Sequence, residues 1–127
     1  MGDLSNHLSR SELACKCKCG FDAADTILVQ TLELVMDHFE EIKGRRLALH
    51  INSGNRCRPY NTGIPGSSDA SKHIQGIACD FWVEDIHADD VADYLEEKYP
   101  STFGIGRYDG RTHLDVRLPK ARWDMRS

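Results

Sequence analysis

The sequence predicts an α+β domain in which two main helices pack on a small antiparallel sheet. Two stretches, about 25–42 and 88–98, place apolar residues at helical spacing, whereas the other apolar runs are short and strand-like. Asp109-Gly110 separates two of these runs, and Asp-Gly in that setting is a strong signal for a β-hairpin. The predicted order is therefore helix, strand, long loop, strand, helix and hairpin.

Both predicted helices are bounded by residues that commonly begin or end helices. The apolar positions of the first recur every three or four residues: Leu28, Leu32, Val35, Phe39 and Ile42. Asp22 or Asp25 can cap its first turn, and Gly44 ends it. Pro100 stops the second helix because proline cannot continue the helical hydrogen-bond pattern.

Four short runs are predicted as strands, and a long loop separates the first two. The runs cover residues 47–52, 77–83, 103–108 and 112–118. Residues 53–72 are rich in glycine, proline and serine, which form turns. A loop of about 20 residues in a small domain tends to be functional. The tail, 119–127, is basic and contains Trp123.

Length and charge indicate one domain and exclude several classes of partner. We expect a single domain over residues 1–127, with an irregular N-terminal arm at 1–21 and a core at 22–127. No apolar run approaches the roughly 20 residues that cross a bilayer. A net charge of −4 argues against nucleic acid or an anionic membrane as the main partner. We expect a monomer.

Five cysteines stand in the chain: Cys15, Cys17, Cys19, Cys57 and Cys79. Their odd number, and the lack of a visible secretory signal, favour reduced thiols over a disulfide framework. Two alternatives stay open, which are a second, structural metal held by the N-terminal trio and a disulfide from that trio to Cys57. The Cys-x-Cys-x-Cys spacing differs from the Cys-x-x-Cys of zinc ribbons.

Three side chains in two short segments offer the ligands of a zinc site. His73 and Asp80 lie seven residues apart, and His113 lies on a strand-like stretch. A loop histidine, a strand aspartate and a histidine on a neighbouring strand can converge on one ion. Two nitrogens and one oxygen leave tetrahedral Zn²⁺ one position for water, as in catalytic sites. On spacing alone, ordinary surface histidines remain the alternative.

Five motifs carry a family resemblance. In chain order they are Ser9–Cys15, Ser53-Gly54-x-Arg56, Ser71-x-His73-x-x-Gly76-x-Ala78-x-Asp80, Gly104-Ile105-Gly106-x-Tyr108 and His113-x-Asp115-x-Arg117. Together they resemble the zinc D-Ala-D-Ala carboxypeptidase family, especially its small phage and prophage endolysin-like members. The resemblance extends from about residue 4 to Trp123. It implies the hedgehog/D,D-peptidase fold and a zinc peptidase that hydrolyses amide bonds in peptidoglycan stem peptides or cross-links.

The resemblance also implies roles for individual residues. His73, Asp80 and His113 match the zinc ligands. Arg56 matches an arginine that polarises the scissile carbonyl and stabilises the oxyanion, where a fixed cation is needed. Ser71 matches a serine that contacts the substrate. The expected reaction is metal-assisted hydrolysis of a cell-wall peptide.

The general base is the position at which the chain departs from its relatives. Relatives place an acid three residues before the last ligand, where this chain has Gly110, or a histidine two residues before it, where this chain has Arg111. Asp115 is the predicted base because it shares the strand face of His113, and Asp109 in the turn is the second candidate. Asp115 is alternatively a carboxylate that orients a zinc ligand or the oxyanion-stabilising arginine.

The missing acid leaves two other functions open. The first is a non-catalytic, zinc-stabilised binding module of the same fold, as in hedgehog domains. The second is a structural-metal protein centred on the cysteine trio. Because the N-terminus has no apolar segment of a secretory signal, we expect synthesis in the cytoplasm and action on the wall after lysis or assisted export.

Overall fold

The computed structural model describes residues 4–16, 19–20, 24–55, 72–73 and 76–126. Within these ranges the helices are α1 (Arg10–Leu13), α2 (Thr26–Lys43) and α3 (Ala88–Lys98). The strands are β1 (Leu49–Ser53), β2 (Ala78–Val83), β3 (Gly104–Tyr108), β4 (Arg111–Asp115) and β5 (Ala121–Asp124). They form one sheet in the order β1-β2-β4-β3-β5. The predicted α+β class is confirmed, and none of the described helices is long and apolar enough to cross a membrane.

The two main helices lie where the apolar spacing predicted them. The Asp25 side chain caps α2 by accepting a hydrogen bond of 3.0 Å from the backbone N–H of Leu28. Gly44 ends it in the left-handed conformation (φ 71°), which glycine adopts without steric cost, and donates its N–H to the Glu40 carbonyl. α3 ends at Lys98, two residues before Pro100.

The sheet has two different faces because side chains alternate along each strand. The face toward the helices is apolar and contributes to the core Leu49, Cys79, Phe81, Val83, Ile105 and Leu114. The other face carries Asp80, Trp82 and His113, which have the opposite parity on the same strands. The predicted hairpin is confirmed, with Asp109-Gly110 between β3 and β4 and Gly110 at φ 77°. The polar face is thereby set by the same alternation that builds the core.

β5 is the element that the sequence did not predict. It pairs in parallel with β3, so the sheet is mostly and not wholly antiparallel. Ala121 donates its N–H to the Phe103 carbonyl, and the Arg122 guanidinium donates to the carbonyls of Tyr99, Thr102 and Phe103. These bonds join distant parts of the chain, and the alternation of apolar and polar residues in Ala-Arg-Trp-Asp is too short to predict a strand by itself.

A buried histidine fastens the N-terminal arm to α2. The two ring nitrogens of His7 lie 2.5 and 2.7 Å from carboxylate oxygens of Glu33 and Glu40. Glu33 also accepts hydrogen bonds from the Ser5 hydroxyl and the His7 backbone N–H. We call His7, Glu33 and Glu40 the N-terminal anchor. It acts together with Leu8 and Leu13, which are buried in the core, to hold the arm on the domain.

The arm is not wholly irregular, because it contains the single turn α1. The Ser9 backbone N–H donates to the Glu12 carboxylate at 2.8 Å, which satisfies a donor at the start of that turn. The Leu13 carbonyl then accepts the backbone N–H of Asn55 at 2.8 Å. A Cβ on Gly54 would lie 2.7 Å from that carbonyl oxygen, so the end of β1 approaches the arm closely enough to require glycine.

Candidate metal centre

Antiparallel pairing brings two of the predicted ligands face to face. Asp80 on β2 lies directly opposite His113 on β4, and His113 Nδ1 is 2.9 Å from Asp80 Oδ1. His73 Nε2 lies 3.5 Å from the same oxygen. One ligand atom from each of the three residues lies within 4.8 Å of the others, and no comparable group occurs elsewhere in the described ranges. The structure therefore brings together the loop histidine, the strand aspartate and the neighbouring-strand histidine.

The backbone of Gly54 determines which nitrogen His73 presents. His73 is 2% exposed, and its Nδ1 lies 2.6 Å from the Gly54 carbonyl oxygen. A carbonyl only accepts, so Nδ1 carries the hydrogen and donates it. In the neutral ring the lone pair is then on Nε2, the atom that faces Asp80. A metal ligand needs this arrangement, and a backbone carbonyl is a common partner for the outer nitrogen.

His113 is held between two carboxylates. Its Nε2 donates to Asp115 Oδ2 at 2.8 Å, while Nδ1 faces Asp80. Burial lowers the pKa of His113, but the hydrogen bonds to Asp115 and Asp80 outweigh it and raise the pKa above the usual value. Burial likewise raises the pKa of Asp80, and hydrogen bonds from His113 and His73 reverse the effect and bring the pKa well below its usual range. The centre thus favours a positive charge beside an ionised Asp80.

The donor set and its spacing fit a zinc ion. Tetrahedral Zn²⁺ with bonds of about 2.0–2.1 Å holds neighbouring ligand atoms about 3.3 Å apart. The distances from Asp80 Oδ1 to the two imidazole nitrogens, 2.9 and 3.5 Å, lie on either side of that value. Two imidazoles and one carboxylate also match catalytic zinc sites in ligand type. His73, Asp80 and His113 are therefore residues that can hold zinc.

Asp115 lies behind His113, on the side of the ring away from Asp80. It is completely buried, and its oxygens accept from Arg117 Nε at 2.6 Å and Arg117 Nη2 at 2.7 Å, besides His113 Nε2. Burial raises the pKa of Asp115, but the bonds from His113 and Arg117 lower it well below its usual range. These contacts are those expected of a carboxylate that orients a ligand. Its role as general base stays a prediction.

Trp123 on β5 forms one wall of the site. Its ring centroid lies 4.8 Å from that of His113, and its Nε1–H donates to the Tyr108 hydroxyl at 2.8 Å. The ring crosses Gly106, where a Cβ would lie 2.3 Å from Trp123 Nε1. The sequence reasoning did not assign Trp123 to the site. A Gly-x-Gly motif inside a predicted strand was the available signal, because glycine there commonly marks a close approach.

Of the remaining predicted site residues, Asp109 falls within the described residues and two do not. Arg56 and Ser71 lie outside the described residues. Asp109 is exposed in the hairpin turn, outside β4, and His113 is the third residue of that strand.

Three of the five cysteines fall within the described residues: Cys15 and Cys79 are buried, and Cys19 is exposed. Cys79 lies on the core face of β2, and burial, with the neighbouring charge of Asp80, raises the pKa of its thiol well above the usual value. Cys17 and Cys57 lie outside the described residues. In the described ranges no cysteine belongs to a group that can hold a metal.

Comparison with known protein families gives a match over most of the chain. A family model described as Peptidase M15 matches residues 6–115, which includes all three candidate ligands and Asp115. The match ends at the last residue of β4, so β5 and Trp123 lie beyond it. No curated protein and no solved structure matches the chain significantly.

Proposed function

Because the chain belongs to the peptidase M15 family, whose members are metal-dependent and typically use zinc, we propose that it hydrolyses an amide bond in peptidoglycan stem peptides or cross-links. The proposed reaction is that of a D-Ala-D-Ala carboxypeptidase or of an endopeptidase. The observation that carries the proposal is the convergence of His73, Asp80 and His113 on one point of the polar sheet face.

In the proposed mechanism the protein holds its ligands in advance. The Gly54 carbonyl keeps the His73 proton on Nδ1, and Asp115 keeps the His113 proton on Nε2. Both rings then aim their other nitrogen at Asp80, which limits the reorganisation needed when an ion binds. Zinc at this site supplies a Lewis acid and a water of lowered pKa.

Arg56 and Ser71 complete the proposed site. Arg56 stabilises the negative charge that develops on the carbonyl oxygen during attack, and Ser71 contacts the substrate beside the ligands. For Asp115 we propose a positioning role, because its two oxygens already accept from His113 and Arg117. Proton transfer to the leaving amine then falls to another group.

Digestion of purified peptidoglycan, with mass analysis of the released fragments, tests the proposal and identifies the bond. We expect fragments from the wild-type protein and none after treatment with a chelator. His73→Ala and Asp80→Asn should lose both zinc binding and hydrolysis, whereas His87→Ala, which removes an exposed histidine at the start of α3, should retain both. Circular dichroism establishes that each variant is folded. A folded His73→Ala protein that cleaves at the wild-type rate would show the metal assignment to be wrong.

A non-catalytic zinc-stabilised binding module is the second candidate, and one observation favours it. The position that carries an acid in related peptidases is Gly110, and Asp115 is fully engaged in hydrogen bonds. A binding module predicts that zinc-loaded protein releases no fragments from peptidoglycan and still cosediments with it. Cosedimentation that disappears with a chelator would support this candidate over the peptidase.

The resemblance to small phage and prophage members leads us to propose a lytic role in cell-wall degradation. The protein then acts on the wall after lysis or after export by another protein. Purified protein should reduce the turbidity of a suspension of isolated cell walls, and His73→Ala should not. A wall suspension that stays turbid while free stem peptides are cleaved would favour a trimming carboxypeptidase over a lytic endopeptidase.

A further inference from the structure

A second row of side chains crosses the sheet face that carries the candidate ligands. His50 on β1 lies opposite Trp82 on β2, and their rings stack with centroids 3.9 Å apart. On the other side of β4, Arg111 lies opposite Tyr108. We call these four residues the outer row. It lies two residues along β2 and β4 from Asp80 and His113, which is about 6.6 Å.

The guanidinium of Arg111 is the charged group of the outer row. Its central carbon lies over the Tyr108 ring, 4.4 Å from the ring centroid, in the position of a cation–π contact. A contact of this kind leaves the N–H edge of the guanidinium available to an acceptor. Arg111 is half-buried, which reduces the competition of water for that edge.

Arg111 differs from other arginines of the described chain in its partners. Arg107, Arg117 and Arg126 each form salt bridges with carboxylates, and Arg122 binds backbone carbonyls. Arg111 forms no salt bridge with a residue of the described ranges. The half-buried Arg111 guanidinium therefore lies near the candidate metal centre, and its hydrogen-bonding edge is paired with no carboxylate of the described residues.

The supports of Arg111 connect it to the candidate metal centre. The Tyr108 hydroxyl accepts the Nε1–H of Trp123, and the Trp123 ring packs against His113. Gly106 makes room for that ring, since a Cβ there would lie 2.3 Å from Trp123 Nε1. The Tyr108 ring, over which the Arg111 guanidinium lies, is thus connected through Trp123 to the candidate ligand His113.

We propose that Arg111, held on the Tyr108 ring, binds a carboxylate of the substrate next to the candidate metal centre. This inference rests on the proposed function and names the substrate group that the same site recognises. A guanidinium pairs with a carboxylate through two parallel N–H bonds, which give direction as well as charge. A peptide anchored in this way is aligned along β4 with its scissile bond toward His113.

The spacing restricts where that carboxylate lies in the substrate. An extended peptide advances about 3.3–3.6 Å per residue, so the two-residue offset between Arg111 and His113 corresponds to one or two substrate residues. Two groups of a stem peptide satisfy this: the C-terminal carboxylate of the leaving D-alanine if the D-Ala-D-Ala bond is cut, and the free α-carboxylate of D-glutamate if the bond between L-Ala and D-Glu is cut. Either source presents the same chemistry to Arg111.

Binding to the metal-free protein tests the inference without requiring catalysis. The probe is the pentapeptide L-Ala-γ-D-Glu-L-Lys-D-Ala-D-Ala, titrated by NMR into the wild-type protein, Arg111→Gln and Arg45→Gln. Arg45 is a matched control because it is an exposed arginine paired with Glu84 and Asp85, beyond the end of the sheet. We expect Arg111→Gln to weaken binding roughly tenfold to a hundredfold, as for one lost charge-assisted pair, and Arg45→Gln to have no effect.

Two amidated peptides identify the source of the carboxylate. One carries a C-terminal amide, and the other carries D-isoglutamine in place of D-glutamate. The peptide that lacks the recognised carboxylate should bind the wild-type protein and Arg111→Gln equally well, while the other should still distinguish them. Arg111→Lys keeps the charge but lacks the planar fork, so we expect intermediate affinity. Thermal unfolding of each variant shows whether it is folded.

The two proposals fail in different ways. If the protein hydrolyses nothing but Arg111→Gln still selectively weakens carboxylate binding, the proposed peptidase activity is wrong and the carboxylate site stands. If the wild-type protein cleaves peptidoglycan but Arg111→Gln behaves like Arg45→Gln toward all three peptides, the carboxylate site is overturned. An equal loss of affinity for all three peptides in folded Arg111→Gln would also overturn it, because the effect would not depend on a carboxylate.

Discussion

Replacing Gly104 with alanine should weaken metal binding although Gly104 contacts no ligand. Gly104 lies opposite Asp115 across the hairpin, and a Cβ there would lie 2.3 Å from Asp115 Oδ2 and 2.6 Å from Cγ. Ordinary contacts of a Cβ begin near 3.4 Å, so the carboxylate has to retreat by about 1 Å. It cannot do so and keep its 2.8 Å bond to His113 Nε2.

The expected effect of Gly104→Ala has two parts, a loss of unfolding free energy and a loss of zinc affinity, which can be measured separately. Overpacking of a buried site costs about 1–3 kcal/mol of unfolding free energy, and Asp115 is completely buried. Removal of the partner that orients a metal-bound histidine lowers metal affinity about 10- to 100-fold, which is about 1.4–2.7 kcal/mol. We therefore expect Gly104→Ala to show both a lower unfolding free energy without metal and a weaker zinc affinity.

Competition with a chromophoric chelator measures zinc affinity, and urea unfolding of the metal-free protein measures stability. Gly44→Ala is the control, because it has nothing within 4 Å and strains only the left-handed C-cap of α2. It should lose stability and keep the wild-type zinc affinity. In an Asp115→Ala background the added methyl group no longer meets a carboxylate, so Gly104→Ala should have little further effect on affinity.

A double-mutant cycle of Gly104→Ala and Asp115→Ala tests whether the glycine substitution acts through Asp115. If Gly104→Ala and Asp115→Ala each bind zinc as the wild-type protein does, Asp115 does not position His113 and the reasoning is refuted. If their effects on zinc affinity add fully in the double variant, the glycine acts by a route other than Asp115, which refutes the steric argument. Strong non-additivity supports it.

Three further predictions concern other parts of the fold. Gly54→Ala should lower the unfolding free energy by more than about 2 kcal/mol, measured by urea unfolding, because its Cβ meets the Leu13 backbone, which cannot move aside as a side chain can. Burial raises the pKa of Glu33, but hydrogen bonds from Ser5 and His7 outweigh it and lower the pKa, so the contribution of Glu33 to stability is present above the unfolded pKa and is lost as the pH falls. The unfolding midpoint should therefore fall on acidification below about pH 5, and less steeply in Glu33→Gln, whereas an unchanged profile would contradict the assignment. A thiol reagent should label exposed Cys19 in the native protein and leave buried Cys79 unlabelled until urea is added, as mass spectrometry of digests will show.

Much of the fold was predictable because its signals are local. Apolar spacing and an N-cap aspartate located α2, and Asp109-Gly110 located the hairpin. β5 was not predictable in this way, because its hydrogen bonds reach back to β3 and its four residues are too few for a reliable strand pattern. Trp123 was missed as a site residue for the same reason, since its position depends on that parallel pairing.

The candidate site, like the fold, was predictable only where the signal is local. Strand parity correctly placed Asp80 and His113 on one face, but parity alone did not distinguish a base from an orienting carboxylate at Asp115. That distinction depends on which nitrogen of His113 the carboxylate meets, and on Arg117 occupying its other positions. Such contacts are properties of packing and rotamers, which spacing does not encode.

One cross-strand relation was nevertheless contained in the sequence. A two-residue turn at Asp109-Gly110 sets the register of the hairpin, so Gly106 must face His113 and Gly104 must face Asp115, as observed. The Gly-x-Gly and His-x-Asp motifs are therefore two halves of one unit. Each glycine removes a side chain where β4 needs space, one for the Asp115 carboxylate and one for the tryptophan that packs on His113. A change in hairpin length by one residue would place side chains in both spaces, so we infer that the turn is as necessary to the candidate centre as its ligands.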